Sequence, residues 1–266
     1  MLLAIDSGNT NVVFAVYHGD RLHASWRAAT NAKRTADEYA VWLTQLMALG
    51  ELSCDDIDAT VIANVVPEAL FNLIALCRRY FKSEPLIIGR PECRLGIGID
   101  VDMPPQNVGA DRIANAVAAQ DRYPVPVMVV DFGTSTNFDL VDRFGNYCGG
   151  VLAPGPNLSM LALEMAAAQL PRVSIERPAT VVGRSTVPAM QSGVFWGYVG
   201  LIEGLVRRIR AERGEAIGVV ATGGLAALFA QEIDLIDKVD PDLTLWGLRL
   251  IYRRNISTID ETAAHK

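Results

Sequence analysis

The chain has only three histidines and four cysteines, and that scarcity removes several chemistries at once. His18, His23 and His265 share no zinc-template spacing with Cys54, Cys77, Cys93 and Cys148, so no structural zinc is expected. The cysteines also form no paired framework, and reduced thiols in a cytoplasmic protein are the simple reading. Long hydrophobic runs are missing too. Val125–Val130 is strand-sized, whereas a bilayer span needs about 20 apolar residues. The opening run Met1-Leu2-Leu3-Ala4-Ile5 stops at Asp6 and has no basic start, unlike a secretory signal. Positive charge is in deficit: 24 Lys and Arg stand against 30 Asp and Glu, for a net charge of -6. Such a chain offers no electrostatic footprint for DNA or RNA. Arg207-Arg208-Ile209-Arg210 reads as a solvated helix face. No Gly-x-x-x-x-Gly-Lys-Ser/Thr is present, which excludes a P-loop. Gly96-Ile97-Gly98 lacks the third glycine of a dinucleotide fingerprint, and there is no Gly-x-Ser-x-Gly.

What is present fits a globular α/β protein. Hydrophobic residues make up 50% of the 266, enough for one large domain or two small ones. Leu2–Ile5, Asn11–Tyr17 and Arg21–Arg27 read as a strand meander, with His18-Gly19-Asp20 as a turn. Thr35–Gly50 has helical spacing, with Tyr39, Leu43, Leu46 and Met47 on one face. Ala59–Val65 is a buried strand, a helix starts near Pro67, and Leu86–Ile88 is another strand. A helix runs from about Gly109 to Arg122. Then the pattern begins again. Val127–Val130 is apolar and ends at Asp131; Asn137–Val141 is β-like, followed by the turn Asp142–Asn146. Helices are expected near Leu158–Leu170 and over Pro188–Arg213, a strand at Gly218–Ala221, and a last helix after Leu243. Ala4-Ile5-Asp6-Ser7-Gly8-Asn9-Thr10 and Val129-Val130-Asp131-Phe132-Gly133-Thr134-Ser135 share one plan: apolar strand, Asp-x-Gly, then small hydroxyl or amide residues. That repeat suggests an internal duplication with a boundary near Tyr123–Val125, giving domains 1–124 and 125–266 and mixed sheets.

Five segments carry chemical promise. At Asp6-Ser7-Gly8-Asn9-Thr10-Asn11 the carboxylate suits a hydrated magnesium ion, and the rest offers donors to phosphate, although Asp, Gly and Asn are also ordinary turn residues. Asp131-Phe132-Gly133-Thr134-Ser135-Thr136 repeats it, and a repeat favours two hairpins gripping one nucleotide tail across a cleft. Thr222-Gly223-Gly224 follows a strand and permits close approach of a flat ligand such as adenine, or is a plain strand-to-helix turn. Gly109-Ala110-Asp111-Arg112 places an acid and a base at a helix start, where Asp111 can accept a hydroxyl proton and Arg112 can hold an anion. An aspartate in a first helical turn is also favoured simply for its charge. In the long helix, Gly193, Gly197, Gly200 and Gly204 each cost about 1 kcal/mol, so close packing within the chain or across a dimer is expected.

In order along nearly the whole chain, Asp6–Asn11, Val65-Val66-Pro67, Val108–Arg112, Asp131–Thr134, Gly149–Gly155, Gln191-Ser192-Gly193 and Thr222-Gly223-Gly224 resemble the type III pantothenate kinases. These are a branch of the superfamily of acetate kinase, sugar kinases, actin and heat-shock ATPases. The resemblance implies a duplicated actin-like (ribonuclease H-like) α/β fold of two mixed-sheet lobes with a cleft between them. It implies ATP-dependent phosphorylation of pantothenate to 4′-phosphopantothenate, the first step towards coenzyme A. By the same resemblance Asp111 is the catalytic base, Gly109, Ala110, Asp111, Arg112 and Thr186 bind pantothenate, and Asp6, Ser7, Gly8, Asn9, Thr10, Asn11, Val12, Val13, Thr134 and Gly223 bind ATP. Asp131 is implied as ligand of a monovalent cation, potassium or ammonium, and Asp6 reaches Mg2+ through water. A cytoplasmic homodimer with no nucleic-acid or membrane partner is implied. Two departures stand out. Many family members carry a substrate-contacting tyrosine where this chain has Ile99–Pro105 with no aromatic, and Asn137 stands where a hydroxyl residue is commoner.

Overall fold

A computed structural model describes residues 1–166, 171 and 173–263. Two compact units emerge: Met1–Asp121 together with the helix that begins at Leu243, and Arg122–Asp242. They are not consecutive halves of the chain. A linear division at 124/125 assigns the last helix to the second half, but it packs in the first unit.

In the first unit, β1 (Leu2–Ser7), β2 (Asn11–His18) and β3 (Arg21–Ala29) form an antiparallel meander, and β4 (Ala59–Asn64) and β5 (Leu86–Ile87) add in parallel. The sheet order is β3-β2-β1-β4-β5. Strand alternation decides the faces. Leu3, Ile5, Val12, Phe14 and Val16 enter one core with α1 (Ala36–Leu49) and α2 (Pro67–Tyr80). Thr35 starts α1 with a reciprocal capping box to Glu38, a device that stabilises by about 1 kcal/mol. The last helix, α7 (Leu243–Ala263), packs on β1 and β4. Because α1 and α2 fill the Leu3–Ile5 face, α7 lies on the face of Ala4 and Asp6. The buried Arg249 guanidinium fixes it there: it donates to Gly19 O at 2.8 Å, pairs with the Asp20 carboxylate and lies 4.4 Å from the Trp246 ring centre. Between α2 and α7 in sequence comes α3 (Ala110–Arg122), which packs on α7. The approach is so close that a Cβ on Gly247 would stand 1.9 Å from Ala114 O.

The second unit repeats the plan: β6 (Val127–Phe132), β7 (Ser135–Val141) and β8 (Tyr147–Pro154) form the meander, and β9 (Gly218–Gly223) and β10 (Lys238–Val239) add in parallel. The order β10-β9-β6-β7-β8 is that of the first sheet read from the other edge, so the duplication inferred from the two Asp-x-Gly segments is a duplication of topology. Met128, Val130 and Phe132 face a core with α5 (Thr186–Arg213) and α6 (Ala226–Phe229). Phe132 stacks on Phe229 at 5.2 Å, and Phe229 on Phe195 at 5.2 Å. α4 is described over Pro156–Ala166, beginning two residues before the expected Leu158–Leu170, whose last four residues lie outside the described ones. Three of the α5 glycines serve no helix packing among the described residues: Gly193, Gly197 and Gly200 are exposed, and a Cβ on any of them would meet nothing within 4 Å there, whereas one on Gly204 would approach the Arg208 guanidinium.

Candidate active site

In the first unit β1 ends at Ser7 and β2 begins at Asn11, leaving Gly8, Asn9 and Thr10 as the hairpin tip. The tip is braced: Gly8 N donates to Asn11 O at 3.0 Å, Thr30 N to Thr10 O at 2.9 Å and Thr30 Oγ1 to Gly8 O at 2.6 Å. Asn9 and Thr10 are exposed, Asp6 and Asn11 half-buried. Two members of the expected ATP set behave otherwise. Ser7 pairs with Val12 across the hairpin, so both point to the α1/α2 face, and both are 0% exposed. The Ser7 hydroxyl has no hydrogen-bond partner there. Their side chains are buried, which leaves only their backbone for a phosphate; the alternation Leu3, Ile5, Ser7 already held that signal. Val13, paired with Asp6, shares the face of α7.

At the start of α3, Ile113 N donates to Gly109 O at 3.1 Å. Asp111 Oδ1 folds back to accept from Arg112 N at 2.8 Å. Gly109 makes that fold-back feasible, since a Cβ there would stand 2.6 Å from Asp111 Oδ1. Burial pushes the Asp111 carboxyl above its ordinary value, opposed by the Arg112 N–H and the Arg112 charge. A carboxylate held this way is a stronger proton acceptor than a solvated one.

In the second unit β6 ends at Phe132 and β7 begins at Ser135, so the tip is only Gly133 and Thr134, one residue shorter than its counterpart. Gly133 N donates to Ser135 O at 2.9 Å. Gly155 closes over the tip, its N–H donating to Thr134 O at 2.9 Å, where a Cβ would stand 2.4 Å from that same oxygen. Gly223, at φ 91°, flanks Asp131: a Cβ would lie 2.6 Å from Asp131 Oδ1. Thr186 stands apart from these, exposed as the first residue of α5. The structure therefore gathers Asp131, Thr134 and Gly223 in one unit. In the other unit it places Asp6 on the sheet face covered by α7, and the α3 helix that carries Gly109–Arg112 against α7.

A sequence model of the type III pantothenate kinase family matches residues 2–208. The type III pantothenate kinase of Rhodospirillum rubrum is 63% identical over 96% of this chain and 99% of its own length. That of Caulobacter vibrioides is 55% identical over 96% and 98%. The chain belongs to the type III pantothenate kinase family. It is accordingly a kinase. Among solved structures, a Baf family protein from Campylobacter jejuni aligns over 96% of this chain and 99% of its own at 20% identity, with a TM-score of 0.60. The ethanolamine utilization protein EutJ from Carboxydothermus hydrogenoformans reaches 0.53 at 14% identity over 94% and 89%. Both likenesses concern the fold alone.

Two relations in the kinase are not written in its motifs one by one. Gly155, at the end of Gly149–Gly155, is needed at the second tip, and Asp131 sits mid-row on its sheet face between Asn137 on β7 and Thr222 on β9. Only strand pairing brings those residues together. Among the described residues no three of His, Cys, Asp and Glu cluster as a metal site, and no helix is long and apolar enough to cross a membrane.

Proposed function

We propose that this kinase transfers the γ-phosphoryl group of ATP to the hydroxyl of pantothenate, with Asp111 as the base. The observation that carries the assignment is the half-buried Asp111 carboxylate at the start of α3, with Gly109 leaving it room. In the reaction Asp111 takes the hydroxyl proton as the oxygen attacks the γ-phosphorus, and ADP leaves. Such a base contributes typically about 10²–10⁴-fold. The remainder of catalysis is positioning and charge neutralisation. The hairpin Asp6–Val13 supplies backbone N–H groups and the exposed Asn9 and Thr10 to phosphate oxygens, while Thr134 and Gly223 contact the nucleotide. Arg112 and Thr186 hold pantothenate, the guanidinium facing its carboxylate.

The donor set fits the two cations this chemistry uses. A strand-end carboxylate such as Asp6 suits Mg2+ held mainly by phosphate and water. Asp131, a strand-end carboxylate with the backbone of Gly223 close to its Oδ1, is the oxygen ligand we assign to a monovalent cation such as K+ or NH4+. The bound cations neutralise phosphate charge. The assembly we favour is a cytoplasmic homodimer. Exposed Leu158, Leu161 and Met165 on α4 and the bare glycine face of α5 support it, because apolar patches of this kind mark protein contacts. The test is coupled ADP release with pantothenate omitted and then added, with and without potassium. Release that depends on pantothenate and on K+ is expected. Release that ignores pantothenate would overturn the assignment.

A further inference from the structure

The row across the second sheet carries one more assignment. Asn137 is directly opposite Asp131 in the β6–β7 ladder, so the two side chains share a face, with Cβ atoms about 4.5–5.5 Å apart as in any such pair. The neighbouring pair Phe132–Thr136 points the other way, into the α5/α6 core. Asn137 is only 6% exposed, an unusual place for an amide on a strand end. Its orientation is set locally: Ser135 Oγ donates to Asn137 Oδ1 at 2.9 Å. With the carbonyl edge occupied by Ser135, the amide N–H groups lie at the opposite edge, on the sheet face that also carries the Asp131 carboxylate.

We propose that Asn137, oriented by Ser135, is a positioning residue that fixes the Asp131 carboxylate for the monovalent cation. The inference rests on the cation role given to Asp131 above. A donor to one carboxylate oxygen keeps the group ionised and holds the other oxygen in place for the cation. It also accounts for an amide at a buried strand position, since the side chain is turned to a carboxylate on the same face.

The test measures binding of thallium(I), a potassium surrogate, by calorimetry and thallium NMR on the intact protein, apart from turnover. Asn137→Leu keeps the volume and removes the donor; Ser135→Ala removes only the hydroxyl that orients the amide. Outer-shell partners typically carry about 10–100-fold in metal affinity. Asn137→Leu is therefore expected to weaken thallium binding about tenfold and Ser135→Ala about threefold, with cation-free melting temperatures close to that of the parent. Unchanged affinity in both variants would overturn the proposal, and if Asn137→Leu does not fold, Ser135→Ala decides alone. Asp131→Asn separates the two levels. If it binds thallium as well as the parent, the cation role of Asp131 fails; if it loses binding while the other variants keep theirs, only the role of Asn137 fails.

Discussion

Replacing Gly109 with alanine tests how closely the base is held. The new Cβ would stand 2.6 Å from Asp111 Oδ1, where carbon and oxygen need more than 3.0 Å. The nearest atom is the side chain itself, so the carboxylate moves and the backbone stays. Gly109 is not among the positive-φ glycines, and alanine strains nothing in the main chain. Moving Oδ1 breaks its 2.8 Å bond from Arg112 N, a charged hydrogen bond of about 1.5–3 kcal/mol in context. Relocation into water offsets part of that loss, so stability should fall by about 1 kcal/mol or less. Catalysis should suffer more. A displacement of about 1 Å at a reacting group costs on the order of 10²-fold. Gly109→Ala is therefore expected to lower kcat about 30–100-fold by ADP release, with a nearly unchanged thermal melt. Combining it with Asp111→Asn should cost no more than Asp111→Asn alone, because both act through one carboxylate. Full turnover in Gly109→Ala, or a combined loss equal to the product of the two, would refute this reasoning.

Other consequences follow from the same geometry. Burial raises the Asp111 pKa, so the folded state favours the protonated acid, and its contribution to stability is present below the ordinary aspartate range and lost as pH rises through the raised value. Asp111→Asn should thus melt higher than the parent at neutral pH, with the gap closing on acidification; a gap that widens in acid would contradict the burial argument. Ser7→Ala removes a buried hydroxyl with no partner, so it should raise stability by about 1 kcal/mol in urea and leave the KM for ATP within about twofold, whereas a large KM increase would return that hydroxyl to the phosphate site. For the homodimer proposed above, Gly197→Leu adds bulk to an α5 face where a Cβ meets nothing within 4 Å among the described residues, and light scattering should report monomers for the variant. A dimer that persists would place the subunit contact elsewhere.

The legible parts of this protein were those written locally. The spacing of Tyr39, Leu43, Leu46 and Met47 marks α1, Gly109 precedes α3, and two Asp-x-Gly hairpins announce two like sheets. What escaped was set by distance. α7 packs with β1 and β4 because of Arg249 and Gly247, and nothing in sequence order says which sheet a last helix will join. β8 was hidden by Gly149 and Gly150, weak strand formers that are present because β7 comes too near for a side chain: a Cβ on Gly150 would stand 1.8 Å from Phe138 O. The row Asn137–Asp131–Thr222 exists only once β6 lies between β7 and β9. The Ser7 orientation was available from strand alternation, and the polar character of the motif masked it.

The account turns on Asp111, and one comparison tests it most directly: pantothenate-dependent ADP release by Asp111→Asn beside ATP binding by the same variant. The expected outcome is turnover reduced at least about a hundredfold, with ATP affinity retained and the protein folded. Turnover equal to the parent would show that the carboxylate at the head of α3 takes no proton from the substrate.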